Sequence, residues 1–271
     1  MNGAGMLTIL GNQGPFAGPR GACSGYLLQA CNVHVLMDIG PGVLAQYQVH
    51  ADLGGLDALL VSHYHPDHFS DLMTLRYALR SAAGEGLRAR PLRLILPEQG
   101  AEAFRETYIT PAYEDLFEFA PVGHGSVVIV GDVELKFRQM DHAISAFSCE
   151  FRWPGIVGRS PLGYTSDTGP CRSLQELAHQ CDTLLAECAV RQDDKRGKAA
   201  GHLCPRTIGH TAMESRVRRL ILTHFSPSAD PDIVVEEAST EFHGLISAAK
   251  VGLTYELGPA SGCGMEDSHA N

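Results

Sequence analysis

Short apolar runs bounded by glycine, proline or aspartate recur along the chain. They fall at Leu7–Leu10, Tyr26–Leu28, Val33–Met37, Ala58–Val61, Leu92–Leu96, Val127–Val130, Val133–Phe137, Thr183–Ala186, Leu220–Leu222 and Val251–Tyr255. Runs of this length and punctuation predict β-strands. Between some of them the apolar spacing changes to that of a helix. Asp71–Arg80 sets Leu72, Leu75 and Leu79 along one face and leaves Arg76 and Arg80 outside it. Ser173–Gln180, Pro205–Ser215 and Asp230–His243 are the other helical segments. Pro205 and Pro231 stand where helices begin, a position that tolerates a missing N–H. The first half is strand-rich and the second alternates strand with helix, which predicts a layered α/β sandwich. No repeat appears at short solenoid periods. Residues 1–257 read as a single domain, and residues 258–271 have little to bury and are expected to be mobile.

Composition adds three constraints. With 271 residues, 44% of them hydrophobic, the chain can bury a sizeable core. A formal net charge of -10 repels polyanions, so a long nucleic-acid track is disfavoured, although a local cation site can still hold a small phosphate. No run approaches the ~20 apolar residues that span a membrane, and no basic region leads an apolar one at Met1–Gly5. The eight cysteines include no Cys-x-x-Cys pair, so free thiols in a reducing cytoplasm are expected.

The chemistry concentrates after one strand. Leu59-Leu60-Val61 ends at Ser62, and His63, His65, Asp67 and His68 follow at once. Alternate residues of an extended segment project to one side, so His63 and His65 can converge on one ion. Pro66 breaks the extension and lets Asp67 and His68 turn toward a second position. Imidazole nitrogen and carboxylate oxygen suit zinc and similar divalent metals. Four residues do not close two sites, so further ligands are expected at other strand ends. His142 after Val133–Met140, Asp167 in Gly163–Gly169 and His224 after Leu220–Thr223 are the candidates.

With these residues in place the chain resembles the metallo-β-lactamase superfamily. The HxHxDH motif at 63–68, Asp38 after Val35–Met37, and then His142, Asp167 and His224 follow the family's order, and the likeness runs from Leu7 to about Tyr255. It implies a four-layer αββα sandwich, with two sheets face to face, helices outside and the site along one edge. It also implies two divalent metal ions, zinc first and manganese or iron as alternatives. His63, His65 and His142 would take the first, Asp67, His68 and His224 the second, and Asp167 would bridge them. Asp38 would orient a ligating histidine through its other ring nitrogen.

Two features are similar to the branch that includes transfer-RNA 3′ processing nucleases, the ribonuclease Z-like branch: Tyr164–Gly169, and Glu187 with His202 in Gly201-His202-Leu203. In that branch such a Glu–His pair handles protons. The nuclease itself fits poorly, because only residues 143–166 separate His142 from Asp167 and no Lys-rich arm appears. Thr8–Gly11, Ser24–Leu28, Asp38–Gly42 and Leu222–His224 instead resemble compact bacterial members that act as cyclic-nucleotide phosphodiesterases. The expected activity is thus phosphodiester hydrolysis on a small molecule, with Asp67, His202 and Glu187 as catalytic residues. Lactonase, thiolester hydrolase and ribonuclease Z-type nuclease are the enzymatic alternatives. A non-catalytic metal sensor is disfavoured by the complete ligand set. A homodimer is compatible with the sequence. Tyr77, Tyr108, Tyr113 and Phe117 are candidates for the wall of a base pocket, with ordinary packing as the competing reading.

Overall fold

In strand after strand, odd and even positions bury against different layers. In β2 (Gly25–Ala30), Tyr26 and Leu28 join one apolar cluster and Leu27 another. In β3 (Val33–Met37), Val35 and Met37 part company with Leu36, and in β4 (Ala58–Leu60), Ala58 and Leu60 with Leu59. Strands buried on both faces are what two packed sheets with helices outside require. The computed structural model, which describes residues 4–191 and 193–258, has that architecture.

The remaining strands are β1 (Gly5–Gly11), β5 (Leu92–Pro97), β6 (Phe117–Val122), β7 (Val127–Val130), β8 (Val133–Gln139), β9 (Phe147–Arg152), β10 (Ser160–Tyr164), β11 (Cys181–Glu187), β12 (Arg219–Thr223), β13 (Leu245–Ala248) and β14 (Thr254–Leu257). They form two seven-stranded sheets, ordered β14-β1-β2-β3-β4-β5-β6 and β13-β12-β11-β10-β9-β8-β7. Each sheet changes from antiparallel to parallel pairing part-way across. The parallel set is β3 to β6 in the first sheet and β10 to β13 in the second. The halves therefore share a plan that no sequence repeat announces.

The α-helices are α1 (Val43–His50), α2 (Pro66–Phe69), α3 (Leu72–Gly84), α4 (Ala101–Phe104), α5 (Arg172–Gln180), α6 (Lys195–Ala199), α7 (Pro205–Glu214) and α8 (Pro231–Ser239). Leu72, Leu75 and Leu79 of α3 bury against the outer face of the first sheet. Leu174 and Leu177 of α5, Ile208 of α7 and Ala238 of α8 bury against that of the second. Between the sheets lie Ile9, Tyr26, Phe137, Phe151, Tyr164 and Ile221. This is the αββα order. No helix among the described residues is long and apolar enough to cross a membrane. The tail expected to be mobile lies, from residue 259 onward, outside the described residues.

Some elements depart from the sequence pattern. β6 carries Pro121 and is an edge strand, where a missing N–H is tolerated. β9 contains Arg152 and Glu150 and so reads as polar, yet Glu150 is buried by pairing with Arg138. The last strand begins at Thr254 rather than Val251, because Gly252 (φ 85°) makes a turn there.

Candidate metal centre

The chain leaves β4, passes Ser62 in extended form, and turns at Pro66 into the single turn of α2. His63 and His65 precede the turn, and Asp67 and His68 lie on it. His142 comes from the connection between β8 and β9, Asp167 from the loop after β10, and His224 directly follows β12. Asp38 follows β3 and Glu187 ends β11. Except for His142, these residues sit at carboxyl ends of strands in parallel pairs, the usual place for ligands in such sheets. Asp38, Ser166 and His224 have φ of 57°, 56° and 57°, a left-handed backbone uncommon outside glycine, each where the chain departs its strand.

The donor atoms converge in two groups. His63 Nε2 and His142 Nε2 each lie 3.1 Å from His65 Nδ1. His224 Nε2 lies 3.2 Å from His68 Nε2 and 3.1 Å from Asp67 Oδ2. Asp167 Oδ2 stands between the groups, 3.7 Å from His63, 3.9 Å from His142, 3.4 Å from His68 and 3.5 Å from His224. All seven residues proposed from the sequence as ligands are thus brought together.

Buried partners fix the rings. Asp38, fully buried, accepts from Ser62 N at 2.7 Å, Ser62 Oγ at 2.8 Å, His68 Nδ1 at 2.7 Å and Tyr164 Oη at 2.6 Å. With Nδ1–H donated to Asp38, His68 presents Nε2 as a lone pair. The Gly201 carbonyl does the same for His142, accepting from Nδ1 at 3.0 Å. Gly14 lies flat against the His224 ring, and a Cβ there would stand 2.1 Å from Nε2. Tyr164 and Gly14 were not singled out from the sequence. Tyr164 sits in the quoted Tyr164–Gly169 segment, but its hydroxyl contact spans 126 residues.

His202 Nδ1 lies 2.9 Å from Glu187 Oε1, and its ring centre is 5.0 Å from that of His142 and 5.9 Å from that of His224. Burial disfavours its charged form, but the Glu187 hydrogen bond and charge outweigh this and lift its pKa to about 9. Glu187 also accepts from Thr168 N at 2.8 Å, so it holds the loop that carries Asp167. Asp167, His202 and His224 can themselves gather their donor atoms within 4.8 Å, which makes His202 a third neighbour of the centre.

The four aromatic residues named as candidates for a wall lie in different settings. Phe117 is buried in the outer core of the first sheet, and Tyr108 packs on Phe69 and Phe104. Tyr77 and Tyr113 pair with each other at 5.3 Å, beside Arg76. Packing accounts for Phe117 and Tyr108, whereas Tyr77 is 57% exposed and Tyr113 half-buried. Tyr64, between two of the histidines, stacks on Phe104 at 4.5 Å and donates to the Pro97 carbonyl.

The donor set fits divalent cations. Ligands about 2.0–2.1 Å from a tetrahedral zinc stand about 3.3 Å apart, close to the 3.1–3.2 Å separations here. Asp167 Oδ1 and His224 Nδ1 are buried without hydrogen-bond partners. Asp38, Asp67, Asp167 and Glu187 are all buried, and such a concentration of carboxylate charge needs positive charge beside it. Burial opposes protonation of His68 and His224, yet the nearby Asp167 carboxylate overrides it and raises both pKa values. Burial and the His68 charge hold His63 well below the ordinary imidazole range.

Residues 34–225 match the Beta-lactamase superfamily domain. The chain belongs to the beta-lactamase superfamily. A relative from Mycobacterium leprae is 33% identical over 260 residues, covering 93% of this chain and 88% of its own. Ribonuclease Z of Thermobifida fusca is 25% identical over 297 residues, covering 90% of this chain and 92% of its own. YhfI of Bacillus subtilis is 28% identical over 252 residues, covering 92% and 99%. The crystal structure of YhfI, a metallo-beta-lactamase fold protein, superposes with a TM-score of 0.84 at 25% identity, covering 93% of this chain and 99% of that one. The superfamily fold accounts for the αββα layers and for a site at the sheet ends.

Proposed function

We propose that this protein is a binuclear metal-dependent hydrolase of small phosphodiesters, cyclic nucleotides among them. The observation that carries the reading is the Glu187–His202 pair set beside two complete His/Asp groups. His63, His65 and His142 would hold one divalent cation, Asp67, His68 and His224 the other, with Asp167 between them. Such cations, zinc first and manganese or iron as alternatives, supply Lewis acidity and lower the pKa of water toward roughly 7.

The chain supplies the rest. Asp38 and the Gly201 carbonyl hold His68 and His142 in the tautomers that present Nε2 inward. Asp67, with Oδ2 3.1 Å from His224 Nε2, would orient or accept the proton of the attacking water. With its Nδ1 held by Glu187, His202 donates its other ring proton to the leaving oxygen, and the Glu187 carboxylate keeps it protonated for that step.

Names among the relatives agree with hydrolysis: YhfI is named a probable metallo-hydrolase, and the Thermobifida protein is a ribonuclease. A small substrate is supported by the short span between His142 and Asp167, which holds β9, a turn and β10, and by the net charge of -10. The test is a screen of the metal-loaded protein against cyclic nucleotides, linear phosphodiesters, a precursor transfer RNA, lactones and thiolesters. Turnover of the small phosphodiesters is the expected result. Turnover of lactones or thiolesters alone, or site-specific cleavage of the transfer-RNA trailer alone, overturns it.

A further inference from the structure

Ser62 stands beside both metal groups and belongs to neither. Strands β3 and β4 run parallel with Met37 opposite Leu60. Asp38, one residue past β3, therefore comes level with Ser62, two residues past β4. The serine is fully buried, and its backbone and its side chain are both engaged. Its N–H and its hydroxyl go to the Asp38 carboxylate, at 2.7 Å and 2.8 Å, and its carbonyl accepts from Phe147 N at 3.1 Å. The same hydroxyl oxygen lies 3.1 Å from His63 Nδ1.

The count of protons fixes the direction of that last contact. A hydroxyl carries one hydrogen, and an ionised carboxylate can only accept. The Ser62 hydrogen therefore goes to Asp38 Oδ2, and toward His63 the serine oxygen can only accept. Nδ1 of His63 must then carry the ring hydrogen. The other tautomer would set two lone pairs 3.1 Å apart between two fully buried residues. Ser166 Oγ, 3.4 Å from the same nitrogen, is a second and longer acceptor. With Nδ1–H so placed, His63 presents Nε2 to the first group as a lone pair, 3.1 Å from His65 Nδ1. The result is a branched path from one carboxylate. His68 of the second group reaches Asp38 directly, at 2.7 Å, and His63 of the first reaches it through the Ser62 hydroxyl.

We propose that Ser62 is a positioning residue that ties His63 to Asp38, so that one buried carboxylate orients a ligand of each cation. A hydroxyl suits the place because it donates and accepts at once, and a methyl group does neither. Partners of this kind set the tautomer and the ring orientation of a metal-binding histidine. The inference rests on the assignment of His63 and His68 to two cations and is independent of the substrate.

The experiment is zinc titration against a chromophoric chelator in the His224→Ala background, where the cation of the first group should remain alone. Ser62→Ala added to that background should weaken the remaining cation about tenfold, the low end for a lost partner of a ligating histidine. Tyr164→Phe takes a donor from Asp38 but leaves the Ser62–His63 contact, and should not weaken it. Unchanged affinity in Ser62→Ala, or an equal loss in Tyr164→Phe, overturns the proposal. A second measurement does not depend on the folding of Ser62→Ala. Nitrogen-15 spectra of the full chain stripped of metal should show His63, assigned by its absence from His63→Gln, with its hydrogen on Nδ1 before any cation binds. A hydrogen on Nε2 overturns the proposal. In Ser62→Ala the two tautomers of His63 should mix, whereas a serine that only filled space would leave them as in the wild type. Two cations retained by His224→Ala would overturn the ligand assignment instead, and the tautomer of His63 then decides for Ser62 by itself.

Discussion

Tyr164→Phe removes one of four hydrogen bonds to Asp38 and leaves the ring in its place against Tyr26, 5.2 Å away. The bond is short, at 2.6 Å, and runs to a carboxylate with no exposure to water. A hydrogen bond to a charged group contributes about 1.5–3 kcal/mol. At about 2–4 °C per kcal/mol for a chain near this size, Tm should fall by several degrees. The effect on metal follows from what remains. Ser62 N, Ser62 Oγ and His68 Nδ1 still donate to Asp38, so the His68 tautomer is kept, but a carboxylate with one donor fewer is held less firmly. Affinity at the site built on His68 should therefore fall by about tenfold, the low end for partners of ligating histidines. Asp38→Asn, which replaces an acceptor of four bonds, should cost closer to 100-fold. Competition with a chromophoric chelator gives the affinities, and melting with and without metal gives the stabilities. Coupling between the hydroxyl and the metal requires a larger Tm loss in the loaded protein than in the stripped one. Equal losses in both, with unchanged metal affinity, would show that the Tyr164 hydroxyl serves packing alone. No loss in either would refute the bond.

Metal analysis of the purified protein should find close to two equivalents, and His65→Ala and His224→Ala should each lose one of them. Persistence of two equivalents in either variant would remove that residue from the donor set. His202→Ala should keep both metals and lose about 10²–10⁴ in kcat on a phosphodiester with a poor alkoxide leaving group, but much less with p-nitrophenolate. Equal losses on both substrates would mean that His202 binds rather than protonates. Glu187→Gln should show a milder form of the same split, whereas Glu187→Ala should also loosen metal, because Thr168 N loses its acceptor. Gly14→Ala should drive a methyl into the His224 ring and weaken metal at that position while sparing the group around His142; wild-type metal affinity in this variant would show that the N-terminal loop yields.

Much of the site is written locally. His63, His65, Asp67 and His68 fall in a span of six residues just after a buried strand, and strand periodicity with Pro66 sorts them into two directions without reference to the rest of the chain. The apolar runs that alternate between two buried faces gave most of the strands, because a strand covered on both sides must be apolar throughout. Helix α3 was legible because its leucines repeat at helical spacing. Helix α1 was not, since only Val43 and Tyr47 are buried among its glutamines and histidine. β10 was obscured by Pro161 and Gly163, and β9 by Ser148 and Glu150, whose burial depends on partners 10 or more residues away. The tertiary structure alone decided three further things. It set Asp167 Oδ2 within 3.9 Å of four histidines from three different parts of the chain. It closed the Tyr164–Asp38–His68 hydrogen-bond chain, and it laid Gly14 on His224. Each of these depends on the position of one strand end relative to another across two sheets. That relation is fixed by core packing summed over the whole sandwich, and no local window of residues contains it.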